Sequence, residues 1–173
     1  MKYFETERLI FRDWKKEDEY QFIEMNHDSD VMNFFPKKLN ESKSLELLNK
    51  IKSNIQKNGF GFYAVESKER NEFVGFLGFD IAAFESEFTP CIEIAWRFRK
   101  EFWGEGLATE GANKCLKYGL EELNFKQIYS FTADINMPSK RVMEKIGLNF
   151  YKTFNHPKVE KGNILEKHVL FGT

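Results

Sequence analysis

Cysteine, proline and histidine are scarce in this sequence, with two, four and three copies among 173 residues. Cys91 and Cys115 stand too far apart for a disulfide framework or a Cys-x-x-Cys metal knuckle. His27, His156 and His168 are equally scattered, so no metal site is expected. Both thiols suit small core positions, and a cytoplasmic location is expected. Charge of one sign is also missing. Lys and Arg number 26 against 27 Asp and Glu, a net charge of −1, which gives no field to draw a nucleic acid or a membrane surface. No apolar run approaches the length of a membrane span, and Met1 to Arg8 lacks the apolar stretch of a secretory signal. Repeats, low-complexity tracts and Gly/Ser-rich linkers are absent, so residues 1–173 are expected to form one domain, as a monomer or homodimer.

Phenylalanine, by contrast, occurs nineteen times. Most of these rings are expected in the core, and a minority are available to line an apolar pocket. Arg8 to Arg12 reads as a short strand. Asp13 can cap a helix over about Lys16 to Met25, with Tyr20, Ile23 and Met25 among its apolar residues. A second helix follows Asn40, where Leu45, Leu48, Ile51 and Ile55 form one stripe. Phe60 to Glu66 and Phe73 to Ile81 are aromatic and β-branched runs around a polar segment, which predicts a hairpin. Phe84 to Pro90 reads as a loop, and Cys91 to Phe98 as the next strand.

A helix then starts near Glu105, with Ala108, Ala112, Cys115, Leu116 and Leu120 on its buried side. Gln127 to Ala133 predicts a strand and Pro138 to Lys145 a helix, with Pro near its first position and Gly147 at its C-terminal cap. Strands near Asn149 to Phe154 and Leu165 to Phe171 follow. This order predicts an α+β chain whose mixed sheet carries helices on both faces.

Trp103-Gly104-Glu105-Gly106-Leu107-Ala108 lies between a strand and a helix. The first helical turn leaves backbone N–H groups unpaired at the positive end of the helix dipole, and glycines let a phosphate approach them closely. A lone Gly-x-Gly is more often a tight turn. Position 109 is Thr, so the third glycine of a dinucleotide fingerprint is missing, and no Gly-Lys-Ser/Thr of a P-loop follows.

The segment resembles motif A of the GNAT superfamily of acetyl-CoA-dependent acetyltransferases, Gln/Arg-x-x-Gly-x-Gly/Ala. Gly106 and Ala108 fill its last two marked positions, with Trp103 where Gln or Arg is usual. The Trp-Gly-x-Gly-x-Ala-Thr-Glu form is similar to the RimJ/RimL-like branch, which acetylates ribosomal-protein N-termini. Thr6 to Arg12 resembles that branch's opening strand and Glu93-Ile94-Ala95-Trp96 its fourth. Asn136-x-x-Ser139-x-x-x-Met143-Glu144-Lys145-x-Gly147 resembles its second cofactor element. The resemblance covers nearly the whole chain. It implies a single-domain GNAT-like fold, with a twisted, mostly antiparallel mixed sheet and a splayed strand pair at the cofactor cleft.

It further implies an acetyl-CoA-dependent N-acetyltransferase that transfers directly to a primary amine, on a small molecule or a peptide N-terminus. The alternative is a CoA-binding sensor or recruitment module without turnover. Ile94, Ala95 and Trp96 are expected to pair with pantetheine. Gly104, Glu105, Gly106, Leu107, Ala108 and Thr109 would hold the pyrophosphate, and Arg99, Lys100 and Arg141 would serve the outer phosphates or stand as solvated surface charges. Strand alternation puts Glu93 and Ala95 on one face and Ile92, Ile94 and Trp96 on the other. Glu93 is the candidate base, although periodicity alone equally allows an ordinary solvated carboxylate. Many superfamily members carry a Tyr as proton donor where this chain has Met143. Ser139 is its candidate replacement, with helix-start bonding as its competing role. Asn136 is expected to cap its helix and to bond pantetheine. His156 and His168 titrate in a range suited to proton transfer, though a lone His is more often structural.

Overall fold

The computed structural model describes residues 1–173. The strands are β1 (Lys2–Glu5), β2 (Leu9–Arg12), β3 (Phe62–Ser67), β4 (Glu72–Ala82), β5 (Cys91–Phe98), β6 (Tyr129–Ala133), β7 (Asn149–Asn155) and β8 (Lys167–Gly172). The helices are α1 (Asp18–His27), α2 (Glu41–Asn58), α3 (Leu107–Glu121) and α4 (Met137–Lys145). One eight-stranded sheet runs β1-β2-β3-β4-β5-β6-β8-β7. Every neighbouring pair is antiparallel except β5 and β6. No helix is long and apolar enough to cross a membrane.

Sequence periodicity places the layers. Asn40 caps α2 by accepting from the Lys43 N–H, and the stripe beyond it buries Leu48 and Ile51. These pack with Phe22 and Met25 of α1 onto Phe73 and Phe76 of β4. On the opposite face α3 buries Leu107, Ala112, Cys115 and Leu116 against Leu9, Tyr63, Leu77, Phe79 and Ile94. Gly119 lets α3 lie close to the sheet, because a Cβ there would stand 2.5 Å from the Phe79 ring. Leu120, expected on the buried side, is 37% exposed. α3 rests on the sheet through Leu116 and Gly119, and position 120 turns outward.

The N-terminus differs from expectation too. Lys2–Glu5 forms an additional edge strand. Asp13 is not the cap of α1, whose cap residue is Glu17, without a side-chain bond. It instead accepts from the terminal ammonium at 2.8 Å and from the Tyr3 hydroxyl at 2.6 Å. α1 starts later, at Asp18, a buried carboxylate that Arg12 grips with two nitrogens at 2.7 and 2.9 Å. Consequently Phe22 and Met25 face inward, while Tyr20 is 71% exposed.

Candidate active site

β5 and β6 run parallel but share a single register pair, Glu93 with Tyr129. Beyond it the strands part. The Ser130 hydroxyl reaches across to donate to the Ile94 carbonyl at 2.9 Å. The gap opens a cleft of about 990 Å³ between the start of α3, the start of α4 and the segment after α1.

One end of the cleft is the Trp103–Ala108 loop. Gly106 is the N-cap of α3 with φ +78°, a conformation that favours glycine. None of the amides from Gly104 to Thr109 donates to another group of the protein. Side chains hold the opposite side of this loop. Arg8 Nη1 donates to the Glu105 carbonyl at 3.0 Å while its Nε donates to Glu110 at 2.7 Å. Arg70 donates to the Glu105 carboxylate at 2.7 Å. The Trp103 indole N–H ties the loop back to the Phe98 carbonyl at 3.0 Å. Six unpaired amides at a helix start are a donor set that can receive a doubly negative diphosphate. A coenzyme A pyrophosphate fits that donor set, and the open edge of β5 can take an extended amide chain.

Glu93, Ala95 and Arg97 share the face of β5 turned toward α1 and α2, and all three line the cleft. Ile94 lies on the other face with its side chain fully buried in the α3 core. Opposite Glu93 in the antiparallel register stands Asp80 of β4, which accepts from Asn54 of α2 at 3.2 Å. The Glu93 carboxyl is pushed up to about 8, first by burial and second by the Asp80 charge. Asn136 is buried, accepts from the Ser139 N–H at 3.3 Å and donates to the Thr132 hydroxyl at 2.9 Å. Its capping role and its place in the cleft lining therefore coexist. The Ser139 residue also lines the cleft, and its hydroxyl makes no bond within the protein. Met143 is 2% exposed and closes the wall behind it.

Most sequence-predicted site residues thus converge. Trp96, Gly104, Gly106, Leu107, Ala108 and Thr109 all line the cleft, whereas Ile94 and Glu105 bear on it through backbone and loop. Arg99 and Arg141 do not join them. Arg99 donates to the Phe73 carbonyl at 2.8 Å and to Glu101 at 2.6 Å; Arg141 is on α4 and exposed. Lys100 reaches the lining but is paired with Asp30.

His156 and His168 pack with ring centroids 4.8 Å apart and planes tilted by 49° in the far wall, beside Phe131 and Phe154. Burial first, then the charges of His168 and Lys158, pull His156 down to about 4. Burial also lowers His168. Both rings are neutral near pH 7 and serve as wall rather than as base. His27 lies apart, its Nδ1 3.4 Å from the Leu39 carbonyl. Sequence reasoning missed Asp80 and Arg97. Alternation from Glu93 would have placed Arg97 on its face, but Asp80 is recognisable only from the strand register.

Comparison with known proteins agrees with this geometry. Residues 8–149 match the acetyltransferase (GNAT) domain. The chain is 31% identical over 160 residues to an uncharacterized N-acetyltransferase, YnaD, of Bacillus subtilis, covering 91% of this chain and 88% of that protein. Its fold matches the crystal structure of a GNAT-family acetyltransferase from Bacillus anthracis with a TM-score of 0.81 at 28% identity, covering 100% of this chain and 98% of the other. RimL, a ribosomal L7/L12 α-N-protein acetyltransferase solved with coenzyme A, shares the fold at TM-score 0.80 and 11% identity, covering 100% of this chain and 97% of its own. With a parted strand pair, a bare-amide helix start and a family match across both, the chain belongs to the GNAT acetyltransferases.

Proposed function

We propose that the protein is an N-acetyltransferase that moves an acetyl group from acetyl-CoA to a primary amine by direct transfer in a ternary complex, the whole chain acting as one domain. The observation that carries this reading is Glu93, a carboxyl of raised proton affinity in the gap between two parting strands. Coenzyme A in the RimL complex supports the same cosubstrate here. The acceptor is a small-molecule amine or a peptide N-terminus, and the two free thiols suit a reducing cytoplasm.

Acetyl-CoA supplies an activated thioester and a thiol leaving group. The Gly104–Thr109 amides hold its pyrophosphate, and backbone groups of Ile94, Ala95 and Trp96 pair with its pantetheine. Glu93 takes a proton from the attacking amine, directly or through water. A carboxylate titrating near 8 is better matched to an ammonium than one at its usual value of 4.5. Backbone N–H groups near Ala95 and Trp96 donate to the carbonyl oxygen as it gains charge. The unpartnered Ser139 hydroxyl gives a proton to the leaving sulfur, which the Met143 thioether cannot do. Neither cysteine offers a covalent route. Burial and then Glu93 push the Cys91 thiol up to about 11, and burial raises Cys115 well above its usual value. Both are thiols, not thiolates, near neutral pH.

The test is Glu93→Gln, which keeps shape and removes the base. Its kcat/KM for an amine should fall about 10²- to 10⁴-fold, while acetyl-CoA still raises the melting temperature. Undiminished turnover would remove Glu93 from its role. Absence of any acetyl-CoA thermal shift in the wild type would refute the acetyltransferase reading.

A further inference from the structure

Arg97 is a cation without an acid. It follows Glu93 by four residues on the same face of β5 and lines the cleft. Its guanidinium lies over the Phe35 ring at 4.3 Å and the Phe76 ring at 5.2 Å. Nη1 donates to Asn26 Oδ1 at 2.6 Å, and Asn26 is fully buried in α1. No carboxylate pairs with it. Arg97 Nε and Asn26 Nδ2 are buried donors without partners, and Nη2 donates to no group of the protein. Burial alone pulls the guanidinium down to about 10, with no neighbouring acid to oppose it.

A half-enclosed positive charge without an acid is costly to bury, and a guest anion that meets the free Nη2 relieves that cost. The other charges in the lining favour one. Lys100 already neutralises Asp30. Glu93 is mostly protonated at neutral pH. Lys158 adds a cation that forms no ion pair. Between Glu93 and Arg97 the walls are aromatic, formed by Phe34 and Phe35 on one side and Phe131 on the other. Because α3 and its bare amides pack on the opposite face of the sheet, Arg97 stands on the side left to the acceptor.

We propose that Arg97, held in place by Asn26, forms a carboxylate subsite, so that the acceptor is an amine with an apolar body and a carboxylate at its far end. The inference rests on the acetyltransferase reading and specifies its acceptor class. Four strand residues span about 13 Å, the length of an extended tri- or tetrapeptide at about 3.3–3.6 Å per residue. A guanidinium binds a planar carboxylate through charge-assisted bonds, which sets the selectivity.

The experiment compares apolar tri- and tetrapeptides as free acids, C-terminal amides and terminal phosphonates, with spermidine as a polycation. The wild type should prefer the acid over the amide by about 10- to 100-fold in kcat/KM, and spermidine should be poor. Arg97→Met should erase the preference by slowing the acid alone, with the KM for acetyl-CoA unchanged. Asn26→Asp places a carboxylate on the guanidinium within the folded protein. It should also erase the preference, while raising the melting temperature. Equal turnover of acid and amide, a preference for phosphonate or spermidine, or a preference surviving Asn26→Asp would overturn the subsite. An acetylated amide without acid preference leaves the acetyltransferase reading intact. Loss of both acetylation and the acetyl-CoA thermal shift removes both.

Discussion

Asp80→Asn isolates the electrostatic part of the Glu93 environment. The two residues oppose each other across β4 and β5. Directly opposed residues have Cβ atoms about 5 Å apart. Two like charges about 6 Å apart repel by roughly 0.7 kcal/mol in water and about 2.8 kcal/mol at an effective dielectric near 20. That range corresponds to about 0.5 to 2 pH units. Glu93 moves from 4.5 to about 8, and burial is the larger of its two causes. Asp80 therefore accounts for less than half of the rise, which leaves about one pH unit. Asparagine retains an oxygen for Asn54 to donate to, so the local packing is preserved. The assay is kcat/KM against pH for one amine acceptor, wild type beside variant. Ionisation of the amine is common to both profiles and cancels in their ratio. The acid limb assigned to Glu93 should move from near 8 to near 7, making the variant about fivefold faster at pH 7. At high pH the variant should be slightly slower, because its base is weaker. Superimposable profiles would refute the coupling of Asp80 to the base. A uniform loss at every pH would instead assign Asp80 a purely structural role.

Glu93→Gln should also change stability with pH. The folded state holds the Glu93 proton more tightly than the unfolded chain, so wild-type stability falls as pH rises from about 4.5 to about 8. The variant stays neutral, and its melting temperature should overtake the wild type progressively across that window; a constant difference would contradict the assignment. Gly119→Ala places a methyl 2.5 Å from the Phe79 ring and 3.0 Å from Ile128. Overpacking of about 1–3 kcal/mol should lower the melting temperature by several degrees in a thermal scan. Gly106→Ala meets nothing closer than Arg8 Nη2 at 3.8 Å, so its cost comes from φ +78° and not from space. Strain of about 1–2 kcal/mol should distort the amide socket and raise the KM for acetyl-CoA more than that for the amine.

Local patterns carried much of this molecule. The 3.6-residue stripe of α2, the alternation of β5, the Asn136 cap and the glycines of the Trp103–Ala108 loop are short-range properties, set by backbone geometry within a few residues. They were legible because each element must bury one face and satisfy its own ends. The resemblance carried by that loop, Glu93–Trp96 and the Asn136 element added the family and, with it, the splayed strands. The N-terminal strand was harder to read, since Lys2–Glu5 is short and lies at the sheet edge. Asp13 misled for a related reason: a capping residue type is equally able to bind a terminal ammonium once the edge strand brings one near.

The electrostatics of the site depended on contacts between distant segments. Asp80 and Glu93 are thirteen residues apart, on either side of a loop, and only the antiparallel register makes them neighbours. Arg99 looked free to meet phosphate until β4 and the turn after β5 supplied the Phe73 carbonyl and Glu101. Arg97, to which the sequence assigned no role, stands out because α1 offers it an amide instead of an acid. A side chain's charge state and unfilled hydrogen bonds depend on what the fold brings within a few ångströms. The sequence by itself determined most of the elements, the glycine turn at the start of α3 and the family. Tertiary packing alone decided which carboxyl titrates high and which cation is left unpaired.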